Sequence, residues 1–134
     1  MQDWCHQNNI LLGVVDFLQE LKEKDYKLAI GSSSKNARHI LQNLKLISSF
    51  DSIIDGTMVE NLKPSPDIFI KAAKTLGLNP NQCLVFEDAL SGVQAAKAGG
   101  FKVIAVGNTE LQKVADYYID NFLDFKLDHY AKVS

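Results

Sequence analysis

The fold is decided by the stretch Val85-Phe86-Glu87-Asp88-Ala89-Leu90-Ser91-Gly92, in which a short apolar run ends in two adjacent carboxylates. The apolar run is typical of a parallel strand that is buried on both faces. In open parallel sheets, ligands bind at the carboxyl ends of the strands. Paired carboxylates there form an oxygen-rich pocket that suits Mg²⁺, so Glu87 and Asp88 are predicted metal ligands. Acids at a helix N-terminus also stabilise the helix dipole without any metal, and this simpler interpretation remains open at this point.

Helices and strands alternate on the N-terminal and C-terminal sides of this stretch. Apolar residues at helical spacing predict helices over 14–24, 37–44, 65–76 and 93–98, with an ill-defined one near 122–130. Short apolar runs predict strands over 27–30, 52–54, 83–86, 102–106 and 117–119. Ser65 is expected to cap the third helix, with Pro66 at its first position, and Gly77 to end it. Strands separated by helices indicate an α/β fold, with a parallel sheet and helices on both faces.

Composition narrows the function classes. The chain has 134 residues, one domain's worth, and a net charge of −2. Arg38 is its single arginine and no basic stripe is present, which argues against nucleic acid or an anionic membrane as a partner. No apolar segment approaches the roughly 18 residues that a membrane span needs. Cys5 and Cys83 have no metal-ligand spacing and are interpreted as reduced thiols, which predicts a cytoplasmic protein.

Two further polar clusters follow predicted strands. Gly31-Ser32-Ser33-Ser34-Lys35-Asn36 lies between a strand and a helix, where backbone N–H groups and hydroxyls can hold a phosphate. Such residues also cap helices for purely structural reasons, and taken alone the serine-rich turn favours that interpretation. Lys63 precedes Pro64, which fixes the backbone beside a charge able to stabilise a phosphoryl transition state. A lone lysine is more often a solvated surface charge, and His39 is more often exposed than catalytic.

Taken together, the three clusters resemble the haloacid dehalogenase superfamily in order and in placement at strand ends. Gly31-Ser32-Ser33-Ser34-Lys35-Asn36 resembles its second motif and Glu87-Asp88-Ala89-Leu90-Ser91-Gly92 its fourth. The third motif is matched by Lys63-Pro64-Ser65-Pro66-Asp67-Ile68-Phe69. The resemblance extends over roughly 12–121 and is strongest to the β-phosphoglucomutase branch and its phosphatase relatives. It implies a Rossmann-like core, with the whole of 1–134 forming part of that core.

The resemblance also implies roles for these residues. Ser32 would donate a hydrogen bond to the transferring phosphoryl group, and Lys63 would neutralise charge on that group and its nucleophile. Glu87 and Asp88 would hold Mg²⁺. The substrate phosphate would be bound by the residues of the serine-rich turn, with the last two gripping the second phosphate of a sugar in the mutase: Ser32, Ser33, Ser34, Lys35 and Asn36.

The family's first motif, an Asp-x-Asp pair on the central strand, has no counterpart in these residues. It carries the nucleophile and the general acid/base, and a cap domain follows it. Asp3, Asp16, Asp51 and Asp55 do not match that motif. The resemblance therefore implies a partial core, without the central first strand and the cap, that is inactive by itself. For a complete protein of the β-phosphoglucomutase branch, the resemblance implies that an aspartyl-phosphate forms and passes its phosphoryl group in converting β-glucose 1-phosphate to glucose 6-phosphate.

Alternatives remain for both function and assembly. A sugar-phosphate phosphatase of the same superfamily, or a non-catalytic phosphate-binding or interaction fragment, fits the same motifs. Without a central strand, Leu28–Ile30 and Leu84–Phe86 would have unpaired edges. We expect these strands either to pair directly or to accept a strand from an N-terminal complementing segment or a swapped second copy.

Overall fold

The computed structural model describes residues 14–32, 42 and 47–123. Its longer helices are α1 (Val14–Glu23), α2 (Asp67–Leu76) and α3 (Leu90–Ala98), with 3₁₀ turns at Ile47–Ser49, Pro80–Gln82 and Thr109–Lys113. Its strands are β1 (Ala29–Gly31), β2 (Ser52–Ile54), β3 (Leu84–Glu87), β4 (Lys102–Val106) and β5 (Tyr117–Ile119). The predicted helix over 37–44 lies outside the described residues apart from Gln42, as does the predicted C-terminal helix beyond Leu123.

All described strand pairs are parallel, as the alternation of helices and strands predicts. β1 pairs with β2, placing Ile30 opposite Ile53. β3 pairs with β4, which in turn pairs with β5. Parallel neighbours require crossover connections, and α2 and α3 lie in the crossovers that lead to β3 and β4. The carboxyl ends of β1 and β2 therefore lie together in one sheet, and those of β3, β4 and β5 in the other.

Helices cover both faces of the sheets. Along β3, Val85 belongs to a core cluster with residues of α2 and α3, such as Ile68 and Val93. Phe86, the next residue, packs on a second cluster that contains Phe17 of α1. Successive side chains of a strand point to opposite faces, so this alternation shows that β3 is covered on both sides. The structure confirms the predicted fold class.

The C-terminal end of α2 lies where the sequence predicts it, and its N-terminal end lies one residue later than predicted. Gly77 ends the helix in the left-handed conformation, with φ of 73°, and its N–H donates to a carbonyl of the last turn. At the start, Pro66 is the N-cap and Asp67 the first helical residue, one position later than predicted. Ser65 Oγ nevertheless accepts a hydrogen bond from Asp67 N at 3.4 Å and donates to the Asp67 carboxylate at 3.0 Å. The Ser65 hydroxyl therefore bonds both the backbone N–H and the carboxylate of Asp67 just before the first turn of the helix.

The edges of β1 and β3 do not meet. Within the described ranges β1 pairs with β2 alone and β3 with β4 alone, so direct pairing of β1 with β3 is not how the chain is arranged. A side chain crosses between their carboxyl ends instead, since Lys63 Nζ donates to both Gly31 and Glu87. None of the described helices is long and apolar enough to cross a membrane.

Candidate active site

Four predicted site residues lie at the carboxyl edge of the strands. Ser32 follows β1, Glu87 ends β3, and Asp88 is the next residue. Lys63 reaches this edge from the loop between β2 and α2. The remaining predicted phosphate-binding residues, Ser33, Ser34, Lys35 and Asn36, lie outside the described residues, as does His39.

The Lys63 ammonium joins the two sheets. Its Nζ donates to the carbonyl oxygen of Gly31 at 3.2 Å and to Glu87 Oε2 at 2.8 Å. It also lies 4.7 Å from the centre of the Phe69 ring, whose negative face favours a cation. The side chains of Lys63 and Glu87 are only 9% and 6% exposed. Lys63, which follows no strand and precedes a cis peptide bond to Pro64, is thus a buried charge held from three sides.

Glu87 uses both of its oxygens within the protein. Oε1 accepts hydrogen bonds from the backbone N–H groups of Asp88 at 3.0 Å and Ala89 at 3.3 Å. Oε2 accepts the bond from Lys63. A buried carboxylate is tolerated when it is paired and hydrogen-bonded in this way. In this arrangement Glu87 is the counter-ion of Lys63 and closes the turn that leads into α3.

Asp88 is in a different environment. It is 6% exposed, and neither of its carboxylate oxygens has a hydrogen-bond partner within the described part of the chain. Burial and the neighbouring Glu87 carboxyl raise the pKa of Asp88 to about 7. A buried carboxylate without donors is costly, and a cation is the group that would satisfy it. Asp88 therefore fits a hard divalent cation such as Mg²⁺.

Of the two predicted ligands, Asp88 has both carboxylate oxygens without a donor in the described residues, whereas both oxygens of Glu87 are already hydrogen-bonded. No group of three or more His, Cys, Asp or Glu side chains within ranges 14–32 and 47–123 is arranged to hold a metal. Mg²⁺ is commonly bound by one or two carboxylates, with waters and a substrate phosphate completing its coordination. The donor set is therefore adequate for Mg²⁺ when a phosphate is present.

Ser32 is fully buried and continues the pairing of β1 with β2. Its N–H donates to the carbonyl oxygen of Ile54 at 2.9 Å, one residue beyond the end of β1. This bond holds Ser32 in line with the strand, next to the Gly31 carbonyl that receives Lys63. The backbone therefore positions Ser32 at the same edge as the Lys63–Glu87 pair.

The carboxylates around β2 have structural contacts. Asp51 Oδ2 accepts from Leu28 N at 2.7 Å, and its other oxygen lies 3.9 Å from Lys22. Asp55 Oδ1 accepts from the N–H of Thr57 at 2.9 Å and from its hydroxyl. These bonds stabilise the entry to β1 and the turn after β2, respectively.

Sequence reasoning did not name Phe69, Gly92 or Asn108 as site residues, although Phe69 and Gly92 lie within the third and fourth motifs. Phe69 lies under Lys63, and Asn108 Nδ2 donates to the carbonyl oxygen of Asp88 at 3.4 Å. Gly92 lies against Glu87, because a Cβ built on it would be 2.0 Å from that carboxylate. The rule of strand ends could have identified Asn108, since it follows β4 at the same edge. For Phe69 the signal was its place at the end of the third motif, which begins with Lys63.

The structure is an α/β core with a lysine and two adjacent carboxylates at the carboxyl ends of its strands. Comparison with known proteins identifies the family. The sequence model of the haloacid dehalogenase-like hydrolases matches residues 2–106. β-Phosphoglucomutase of Bacillus subtilis (strain 168) is 36% identical over 120 residues, which are 90% of this chain and 53% of that protein. The fructose-1-phosphate phosphatase of Escherichia coli (strain K12) is 42% identical over 76 residues, 57% of this chain and 40% of that protein.

The solved structures agree. The crystal structure of β-phosphoglucomutase from Clostridium difficile superposes with a TM-score of 0.82 at 34% identity, over 87% of this chain and 52% of that one. The chain belongs to the haloacid dehalogenase superfamily and is β-phosphoglucomutase-like. It spans about half the length of the Bacillus subtilis and Clostridium difficile β-phosphoglucomutases.

Proposed function

We propose that these residues form part of the active site of a Mg²⁺-dependent enzyme that transfers a phosphoryl group on a sugar phosphate, as β-phosphoglucomutase does. The observation that carries the proposal is the contrast at the end of β3. Glu87 is fully bonded to Lys63 and the backbone, whereas the buried oxygens of Asp88 have no donors in the described residues. One carboxylate positions a cation of the protein, and the other is available to an added cation.

In this proposal Mg²⁺ is held by Asp88. Glu87, the other predicted ligand, would contribute only through lone pairs that its bonds to Lys63 and the backbone leave available. The bound ion would shield the charge of the phosphoryl group. Lys63 supplies a fixed positive charge at the same edge, in a buried place where electrostatic stabilisation is stronger than in water. Ser32 donates a hydrogen bond to the transferring group. Each of these groups binds or stabilises, and none of them is the nucleophile.

The nucleophile is proposed to come from a segment outside these 134 residues, which contain no Asp-x-Asp pair. β1 and β3 lie in separate sheets of the described structure, with Lys63 joining their carboxyl ends. A parallel strand from an N-terminal segment, or from a second copy, would bring an aspartate to this edge. The proposed setting is the cytoplasm, which is the expectation drawn from the two cysteines.

The first test concerns turnover. The 134-residue chain alone is expected to show no mutase or phosphatase activity with Mg²⁺ and β-glucose 1-phosphate. Adding a peptide with an apolar strand that ends in Asp-x-Asp is expected to restore turnover. The same peptide with Asn in place of both aspartates is the control. Hydrolysis by the unaided chain that is lost on Asp88→Ala would contradict the proposed source of the nucleophile, and a failure of the peptide to bind would favour a non-catalytic role.

A second candidate function is hydrolysis of a sugar phosphate. It is favoured by relatives of this kind, which include the fructose-1-phosphate phosphatase and a phosphorylated carbohydrates phosphatase of Thermotoga maritima, 38% identical over 94 residues. The same residues at the carboxyl edge would serve either reaction. The two differ in whether the second phosphate of a bisphosphate intermediate is held for return to the enzyme.

Lys35 separates the two candidates. In a mutase, Lys35→Ala is expected to reduce interconversion of the two glucose phosphates on the order of a hundredfold, because an oriented charge on the second phosphate is lost. Release of inorganic phosphate by the same variant should change little. Both rates are measured on the chain complemented with the Asp-x-Asp peptide of the first test, with Lys74→Ala, on the exposed side of α2, as the control. Equal loss of both rates, or of neither, would favour the phosphatase.

A further inference from the structure

Gly92 lies where the Glu87 carboxylate needs space. A Cβ built on Gly92 would be 2.0 Å from Cδ and Oε2 of Glu87 and 2.2 Å from its Cγ. Real Cβ atoms essentially never approach another heavy atom closer than 3.0 Å. Glu87 therefore cannot keep its present place beside any residue other than glycine. The carboxylate rests directly on the backbone of the first turn of α3, of which Gly92 is the third residue.

Backbone conformation does not account for this glycine. Gly92 is within α3, and its φ lies outside the left-handed region that Gly77, Gly100 and Gly107 occupy. Alanine would be compatible with that backbone, and it is more favourable than glycine in a helix. A glycine here weakens the helix locally, so the missing side chain has to be explained by what lies against it. The three atoms that lie nearest all belong to Glu87.

Displacing Glu87 would affect Lys63. The Glu87 carboxylate makes three hydrogen bonds, two to backbone N–H groups and one to Lys63 Nζ. Without the last of these, Lys63 would keep one carbonyl oxygen and the Phe69 ring. A carboxylate side chain can rotate away, so the chain would still fold with a Cβ at position 92. The change would be in the position of two charges.

We propose that Gly92 is a positioning residue, whose lack of a side chain seats the Glu87 carboxylate and, through it, orients Lys63 toward the site. This inference rests on the proposed function for the role of Lys63 in phosphoryl transfer. Its geometric content does not depend on turnover. It can therefore be tested separately, by measuring how a change at Gly92 depends on the side chain at position 87.

The test is a double-mutant cycle in this protein with Gly92→Ala and Glu87→Ala, read from the unfolding equilibrium in urea. With Glu87 present, Gly92→Ala is expected to favour unfolding on the order of tenfold or more, because hydrogen bonds to a buried charge are lost. In the Glu87→Ala background the clash is absent. Gly92→Ala should then disfavour unfolding by up to about fivefold, the helix preference of alanine over glycine. This reversal of sign is the expected result.

Gly99 is the matched control. It follows α3, and a Cβ there would meet the Phe101 ring at 2.8 Å rather than Glu87. Gly99→Ala should therefore have the same effect on unfolding in both backgrounds. If Gly92→Ala destabilises the protein equally with and without Glu87, the proposal is overturned, since Gly92 would then be needed for packing against other groups.

A second readout follows Lys63 directly. Acylation of lysine amines, quantified by peptide mass spectrometry, should become on the order of tenfold faster at Lys63 in the Gly92→Ala variant. Lys97 lies on the exposed side of α3, the helix that contains Gly92, and is the internal reference, which should react at an unchanged rate. An unchanged rate at Lys63 would overturn the proposal. If both readouts change as expected and the variant still transfers phosphoryl groups normally, the positioning inference stands and the catalytic role proposed for Lys63 fails.

Discussion

Asp88→Asn is expected to stabilise the metal-free protein at pH 8 while removing its response to Mg²⁺. Burial and Glu87 raise the pKa of Asp88 from the ordinary 3.8 to about 7. Between these two values the folded state binds a proton that the unfolded state has released, so stability falls as pH rises through this window. Above about pH 7 the Asp88 carboxylate is charged in the folded state as well, and the full free-energy cost of burying that charge lowers the stability. Asparagine has no charge to bury, and we expect a gain on the order of 2 kcal/mol at pH 8 that vanishes near pH 4.

The measurement is urea unfolding of both proteins in EDTA between pH 4 and pH 8. Mg²⁺ is then titrated into each protein at pH 8, with binding to the wild type expected in the millimolar range, about 4 kcal/mol. The ion should reverse the order of stabilities, because it stabilises the folded state of the wild type alone. Asp120→Asn, at an exposed carboxylate, serves as the control. Micromolar binding of Mg²⁺, or binding that survives Asp88→Asn, would show that the metal site lies elsewhere.

Breaking the Lys63–Glu87 pair is expected to have the largest effect on both folding and activity. Lys63→Met should cost about 3–5 kcal/mol of unfolding free energy, because it leaves a buried carboxylate without its counter-ion. Glu87→Gln should also destabilise the protein, by leaving the ammonium without a negative partner. The double variant should be more stable than the sum of the single effects predicts, since neither charge is then left alone. In the chain complemented with the Asp-x-Asp peptide, Lys63→Met should reduce turnover on the order of a hundredfold or more.

The matched control for the Lys63–Glu87 pair is a second ion pair of the described residues that has a similarly short contact, between Lys97 and Asp116. Lys97 and Asp116 are 2.9 Å apart, but their side chains are 47% and 27% exposed. Lys97→Met should therefore cost less than about 1 kcal/mol and leave turnover unchanged. Comparable losses at Lys63 and Lys97, or strict additivity of Lys63→Met with Glu87→Gln, would contradict the assignment of a buried and coupled pair.

The sequence predicted the elements whose determinants are local. Short apolar runs located all five described strands to within about two residues, and Gly77 marked the end of α2 because only its left-handed conformation closes that turn. The position of Pro66 was missed by one residue. The hydroxyl of Ser65 bonds both the backbone and the side chain of Asp67, and propensity alone does not resolve such a shared cap.

The site was predictable as a set of residues but not as a set of contacts. The strand-end rule brought Ser32, Glu87 and Asp88 to one edge, and the resemblance supplied Lys63. Sequence reasoning treated Glu87 and Asp88 as equivalent carboxylates. Their difference depends on Lys63, which is 24 residues from Glu87 and pairs with it across two sheets. No local pattern indicates which of two adjacent acids faces a distant cation. Nor does any local pattern indicate that Gly92 leaves the space that the Glu87 carboxylate occupies.

The bridge made by Lys63 has a consequence for how this protein can evolve. The ammonium that is proposed to act on the substrate is also the group that links the carboxyl ends of β1 and β3. A substitution there is exposed to selection twice, once through the chemistry and once through the abundance of folded protein. A descendant that abandoned phosphoryl transfer would still need a cation at this position, or a simultaneous change at Glu87. If the lysine persisted in such a lineage, it would therefore reflect the structural role of the cation and would not indicate retained catalysis.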